Sequence, residues 1–408
     1  MTAQSPGRRR IEFKIKLLAL AVGVALVGGC EPIMRDLQYS NVRSRLFPMN
    51  MDLTVGRAGV DANKLMKAQA YEGQVEVEGI TVHHPRGMAS LAKTVGAALA
   101  EAREEVRTRT GIIWAFDLDI YLVPMTDASQ GFRLRFPLKG RRLSLPMLVT
   151  SNRVRPEWSH GIAHEITEAS MLASLSRHDL VLGDYCFGGF ALVNETRWFR
   201  DGVSDFAGDI LNRKLFGDRW QPPCGIYQAL AESREGLLDW NNCAGPTEYA
   251  AAHALILQLN DRFGKDVIAR IMLAASQERY INGGMLKRAV RKATGTDLRQ
   301  FVRDYQVTWL GMDLRDTANQ VRVTRIYPRT PAHFWKLRSG DIILAVDGKP
   351  VISAAWLTHY IAVRQPGDRI QVEFERAGER HTYRMKLAAR QSAPALPGAA
   401  FNTTMEAR

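Results

Sequence analysis

The sequence predicts an α+β chain: a mainly helical domain with a small N-terminal sheet, followed by a separate, small β-rich domain. Three observations lead there. Strand-like segments cluster before residue 150, helix-forming segments fill about 158–308, and near Trp309 the texture changes to short β runs between turns. The 408 residues suffice for two or three domains with substantial cores, and 46% hydrophobic with 24% charged residues is ordinary globular composition.

Residues 1–30 read as a targeting segment. Arg8, Arg9, Arg10, Lys14 and Lys16 form a cationic start, and Leu17 to Val27 is an apolar run too short for a comfortable membrane span. Val27-Gly28-Gly29-Cys30 then resembles the bacterial lipobox, in which Cys30 is acylated and becomes the mature N-terminus; the alternative is an uncleaved signal anchor. That resemblance implies a lipid membrane as partner and a place in the bacterial cell envelope, on the periplasmic or extracytoplasmic face. Cys186, Cys224 and Cys243 would then meet an oxidising compartment, with two of them free to pair. Their spacing leaves the pairing open.

Residues 31–70 read as a tether with some local structure. Tyr71 to Val82 alternates as a strand through Val75, Val77, Ile80 and Val82, and Ala89 to Thr110 has helix composition and spacing. Leu118 to Val123 is a strand, a basic loop follows, and Leu143 to Thr150 is a second strand that Pro146 restricts to an edge. Helices are predicted at about 158–176, 194–216, 245–264, 265–275, 283–293 and 297–308. Turns at Asp347-Gly348, Pro366-Gly367 and Ala377-Gly378 divide the β-rich segment, and the Ala/Pro/Gly-rich residues 389–408 read as a disordered tail. The net charge of +13 is scattered, without a Lys/Arg tract interleaved with aromatics, so no nucleic-acid partner is expected.

The chemistry-bearing stretch is His164-Glu165-Ile166-Thr167-Glu168. On a helix, positions four apart share a face, so His164 and Glu168 can grip one ion, with Glu165 beside them as a general base. This is H-E-x-x-H with a carboxylate in place of the second imidazole. His160 lies one turn earlier on that face. His160, His164 and Glu168 span about 12 Å of helix rise, too far for all three to bind one ion, so His160 is a secondary candidate. It could pair with His164 while Glu168 orients the ring. His178 and His253 read as surface or core residues.

Residues 85–308 resemble a gluzincin, the thermolysin-like peptidase class that includes the aminopeptidase N and glycyl aminopeptidase families. Beside the helix motif, Trp198-Phe199-Arg200-Asp201-Gly202-Val203-Ser204-Asp205-Phe206 resembles W-x-x-E-G-x-x-x-Y, and Glu248-Tyr249 precedes a helix in the family order. The resemblance implies a metal-dependent hydrolase. His164, Glu168 and Asp201 would be the metal ligands, Glu165 the general base, and Tyr249 the hydroxyl that steadies an oxyanion. The ion would be Zn²⁺, with Mn²⁺ favoured by the two carboxylates as the alternative. A pseudopeptidase without metal, working as a peptide- or protein-binding scaffold, is the competing expectation.

The domain over 309–388 resembles a bacterial PDZ domain, on Val323-Thr324-Arg325-Ile326-Tyr327-Pro328-Arg329-Thr330-Pro331-Ala332, Leu337-Arg338-Ser339-Gly340-Asp341-Ile342-Ile343 and Asp347-Gly348-Lys349-Pro350-Val351. The resemblance implies capture of peptide or protein C-termini by strand addition, with the carboxylate loop at Leu310, Gly311, Met312, Asp313 and Leu314.

Overall fold

A computed structural model of the chain describes residues 50–390, apart from 56–57, 115, 126–130, 138–141, 151–152, 176–195, 219, 224, 240–245, 278–282 and 318–319. All four cysteines and His178 therefore lie outside the described residues. No helix among the described residues is long and apolar enough to cross a membrane.

The described chain begins with β1 (Asn50–Val55), β2 (Ala58–Asp61) and α1 (Ala62–Ala68). A hairpin of β3 (Gly73–Val77) and β4 (Ile80–His84) leads through α2 (Ala89–Thr110) to β5 (Asp117–Pro124), β6 (Gly131–Pro137), β7 (Arg142–Thr150) and β8 (Arg153–Val154). Five of these strands form a mixed sheet in the order β3-β4-β5-β7-β8, parallel across β4-β5 and β5-β7 and antiparallel at both ends. The small N-terminal sheet thus stands as expected. α2 supplies the crossover between two parallel strands, and its Ala92, Val95 and Leu99 are buried in the core it shares with the sheet.

Two local expectations change. The single strand over 71–82 is a hairpin, because Glu78 (φ 49°) and Gly79 (φ 76°) take the paired left-handed conformation of a tight turn. The three-residue step from Val77 to Ile80 was the sign of that break in alternation. The basic loop before β7 contains β6, which pairs with β1 and β2 in a second, three-stranded sheet. Its sequence alternates Phe132, Leu134 and Phe136 with Arg133 and Arg135, a period-2 pattern under the charge. Pro146 is tolerated in β7 because β8 pairs only Val149 and Thr150, leaving the rest of that side outside the two-residue ladder.

The middle of the chain is helical: α3 (Pro156–Leu175), α4 (Arg197–Phe216), α5 (Gly225–Ser233), α6 (Pro246–Phe263), α7 (Val267–Ser276), α8 (Gly283–Thr294) and α9 (Leu298–Arg303). α3 packs along α4, and α4 and α5 pack on α6. Trp158, Trp198, Phe206 and Tyr227 are the largest apolar side chains sealed into this core. α9 ends earlier than its sequence suggests, because Thr308 and Trp309 leave the helix to form a strand.

That strand, β9 (Thr308–Trp309), opens the C-terminal domain. It continues as β10 (Met312–Thr317), β11 (Gln320–Ile326), α10 (Pro331–Phe334), β12 (Ile342–Val346), β13 (Lys349–Pro350), α11 (Ala354–Ala362), β14 (Arg369–Arg376), β15 (Glu379–Lys386) and β16 (Ala388–Ala389). Its sheet runs β10-β11-β12-β14-β15, antiparallel throughout, around a core of its own that includes Val323, Ile343, Leu357, Val372 and Phe374. β16 pairs with β9, so the domain's first and last strands lie side by side.

The two cores meet at α11. Leu357 and Ile361 belong to the C-terminal core, whereas Ala362 and the following Val363 belong to the core of the helical domain. Gln258 on α6 donates to the Ala362 carbonyl (3.0 Å), and the Tyr227 hydroxyl of α5 lies 2.7 Å from His359 Nδ1.

Candidate functional site

The helix motif sits on α3, facing α4. The two helices carry matched ladders at four-residue spacing: His160, His164 and Glu168 on α3, and Asp201, Asp205 and Asp209 on α4. They run against each other so that His164 Nδ1 meets Asp205 Oδ1 at 2.8 Å and His160 Nε2 meets the same oxygen at 3.1 Å. His160 Nδ1 lies 3.6 Å from Asp209 Oδ1, and Asp209 Oδ2 is 2.7 Å from His253 Nε2 on α6. A chain of alternating imidazoles and carboxylates, half-buried at His164 and His160 and fully buried at Asp209 and His253, therefore runs from His164 to His253. Gly208 makes room for it, since a Cβ there would lie 2.6 Å from the His160 ring.

The same packing needs Gly202. A Cβ at that position would lie 2.6 Å from the Ala252 carbonyl oxygen and 2.7 Å from Ile256 Cγ1. The glycine of the second motif thus lets α4 approach α6 closely, and it fixes where the neighbouring Asp201 stands.

His164, Glu165 and Glu168 form a buried group whose ligand atoms lie within 4.8 Å of one another, so it could hold a metal ion. With Nδ1 committed to Asp205, His164 turns Nε2 toward Glu168 Oε2, 4.0 Å away. The carboxylate that orients His164 is Asp205; Glu168 does not play that role. Burial opposes charge on the ring, but Asp205, with Glu165 and Glu168, outweighs it and holds His164 up at about 10. Asp205 is held well below the usual carboxylate range: its own burial opposes this, and the charge and hydrogen bonds of His164 and His160 prevail. His253 is also raised, because the Asp209 carboxylate overcomes its burial.

Asp201 and Tyr249 are drawn elsewhere. Arg197 Nε lies 3.0 Å from Asp201 Oδ2, and Arg200 Nε lies 3.4 Å from Asp201 Oδ1. Arg200 Nε also meets Glu168 Oε1 at 2.5 Å. Arg197 Nη2 donates to the Tyr249 hydroxyl, with the guanidinium stacked over the ring. Both arginines are buried, Arg200 with 1% of its surface exposed. The residues therefore only partly suit a bound ion. Three donors can surround one, but then Glu165 is a ligand and cannot also serve as the base. The set with Asp201 in Glu165's stead is closed by arginines. A catalytic metal centre with three ligands and a free general base does not fit these side chains.

His160 does not join His164 as a ligand pair, because its two nitrogens face Asp205 and Asp209. His253, which the sequence leaves without a partner, has one in Asp209. Asp205 and Asp209 are the residues that sequence reasoning missed; their four-residue spacing from Asp201 was the available signal.

In the C-terminal domain, Leu310 and Gly311 are buried at the entrance to β10, and Leu310 and Met312 belong to the core. The Leu310 carbonyl accepts from Ala332 N (2.8 Å) and the Gly311 carbonyl from Tyr327 N (2.9 Å), which pins the loop against the start of α10. β10 is the terminal strand of its sheet and lies beside α11, where the Asp316 carboxylate accepts from Ala354 N (2.7 Å). An edge strand next to a helix is the arrangement that admits an added strand.

Comparison with known proteins bears on this domain. Residues 308–387 match the PDZ domain family. A probable periplasmic serine endoprotease, DegP-like, from Pseudomonas fulva (strain 12-X) is 36% identical over 65 residues, which cover 16% of this chain and 14% of that protein. This chain thus spans about a seventh of that relative's length. Among solved structures, the HtrA3 PDZ domain bound to a phage-derived ligand (FGRWV) is 17% identical, covering 20% of this chain and 86% of that one, with a TM-score of 0.19. The HtrA-type protease AlgWS227A with decapeptide is 22% identical, covering 22% and 32%, with a TM-score of 0.22. On the sequence match and the strand order together, residues 308–387 are a PDZ domain.

Proposed function

We propose that this protein is an envelope-anchored peptide-binding protein. Its PDZ groove takes the C-terminus of a peptide or protein, and its gluzincin-like helical domain acts as a non-hydrolytic body. The observation that carries this reading is the β10 edge strand beside α11, entered through Leu310 and Gly311, with the expected loop residues Met312, Asp313 and Leu314 forming the start of the strand itself, in a domain of the PDZ family. An added strand would pair with β10, and backbone N–H groups of the loop would hold the terminal carboxylate. Fluorescence polarisation with a C-terminal peptide library tests it. Amidating the carboxylate of a bound peptide should weaken it at least about tenfold. Equal binding of acid and amide would remove the carboxylate loop from the proposal.

Anchoring through an acylated Cys30 belongs to the same reading, supported by the cationic start and apolar run before it. Wild-type protein should incorporate labelled fatty acid and Cys30→Ser should not; labelling of the variant equal to wild type would remove Cys30 as the anchor.

One observation favours a second reading, a metal-dependent peptidase using Zn²⁺ or Mn²⁺. Asp205 holds His164 so that Nε2 faces Glu168, as a ligating imidazole requires. In that reading His164, Glu168 and Asp201 are ligands, Glu165 the base and Tyr249 the oxyanion partner, and Asp201 has to leave both arginines. Hydrolysis of fluorogenic peptides that depends on added metal and disappears in Glu165→Gln would establish it.

A further inference from the structure

The three carboxylates of the α4 ladder are neutralised in two different ways. Asp205 and Asp209 face histidines, whereas Asp201 faces arginines, and one of these reaches across to α3. Arg200 Nε stands between Glu168 Oε1 (2.5 Å) and Asp201 Oδ1 (3.4 Å), while the other oxygen of the same carboxylate, Oε2, looks toward His164. A divalent ion held by His164, Glu168 and Asp201 would need that same ground: it must be reached by one carboxylate from each helix.

We propose that Arg200 is the resident cation of this site. Its guanidinium takes the position of a divalent ion between Glu168 and Asp201, so the native protein excludes metal there. The inference deepens the reading of the helical domain as a non-hydrolytic body and rests on it. Three features of the site support it together. A guanidinium is always charged and only weakly hydrated, so it can remain in a buried place without losing its proton. Burial of Arg200 with Glu168 and Asp201, at 1%, 6% and 2% exposure, means that neither acid can rely on water to screen its charge. Arg197 supplies a second positive charge to Asp201 from one turn earlier, which further reduces the attraction that a divalent ion would feel. The acid substitutions in the two motifs and the arginines between them are thus one arrangement: carboxylates replace ligands, and a built-in cation replaces the ion.

The inference predicts a gain of binding. Wild-type full-length protein, titrated calorimetrically with Zn²⁺ alone and with Mn²⁺ alone, should take up neither at the site. Arg200→Ala and the milder Arg200→Gln should each bind one equivalent, at least about 100-fold more tightly than the detection limit set by the wild type. Zn²⁺ should raise their melting temperature by roughly 5 °C and leave that of wild type unchanged. Arg200→Lys, which keeps a cation in place, should behave as wild type. Stoichiometric metal in the wild-type protein that is lost in Glu168→Gln would overturn the proposal. So would the absence of any gain in both neutral variants, including failure to fold with and without metal, since a vacated ion site is one that metal refills. None of these readouts depends on the PDZ groove, so peptide binding can fail while this proposal stands, and the reverse.

Discussion

His164 Nδ1 and Asp205 Oδ1, 2.8 Å apart in a largely buried setting, make the pair on which the α3–α4 contact turns. The folded value of about 10 lies above that of a free imidazole, so folding favours the imidazolium. The resulting stabilisation is complete below about pH 6.5, and it fades as the pH climbs through about 10. Asp205 behaves oppositely: its depressed value gives stability above its unfolded value of 3.8, which is lost on acidification. In metal-free protein, the His164 ring signals in NMR should therefore stay unchanged from pH 5 to 8 and titrate only in alkali. Asp205→Asn should bring that titration down toward neutrality and cost about 3 kcal/mol or more, because it leaves a buried charge without its partner. A His164 titrating near 6.5 in the wild type would remove the pair as a source of stability.

Between elements, the close approach of α4 to α6 at Gly202 is the feature most sensitive to a single methyl group. Gly202→Ala would press a Cβ against the Ala252 carbonyl, and thermal denaturation should register a loss of about 1–3 kcal/mol. The sequence carried much of this layer. The HExxE helix, the glycine after Asp201, strands β5 and β7, and the Asp347-Gly348 and Ala377-Gly378 turns could each be read from local pattern. What could not be read was the pairing across helices. Asp205 and Asp209 follow Asp201 at four-residue steps, yet only the packing of α4 on α3 decides which acid meets His164 and which meets an arginine. Arg200 is the clearest instance. In the sequence it is an ordinary position inside W-x-x-D-G, and in the fold its Nε lies between the acids of two helices. β6 was hidden for a related reason, since a strand rich in arginine reveals itself only through its alternation.

Across the whole molecule, the PDZ domain is built into its neighbour. α11 contributes to both cores, and the half-buried His359 packs against Tyr227. Burial outweighs the opposing Asp209 carboxylate and, helped by the nearby Arg213 and His253, pushes His359 down to about 4, so folding favours its neutral ring. Its contribution is present above about pH 6.5 and is lost as the pH falls toward 4, for a total of order 3 kcal/mol. At pH 7.5 calorimetry should give one unfolding transition for both domains, and near pH 4.5 the PDZ domain should separate as an earlier one. Two transitions at neutral pH would mean that the shared helix does not couple them. A second joint carries a different consequence. β16 pairs with β9, and Arg390 N bonds to the Val307 carbonyl at 2.7 Å, so the chain leaves the PDZ domain at the point where it entered. A pull applied beyond Arg390 would load this two-residue clasp from its open end. Its bonds would break singly and in order, as a zip opens, before the sheet behind them bore any tension.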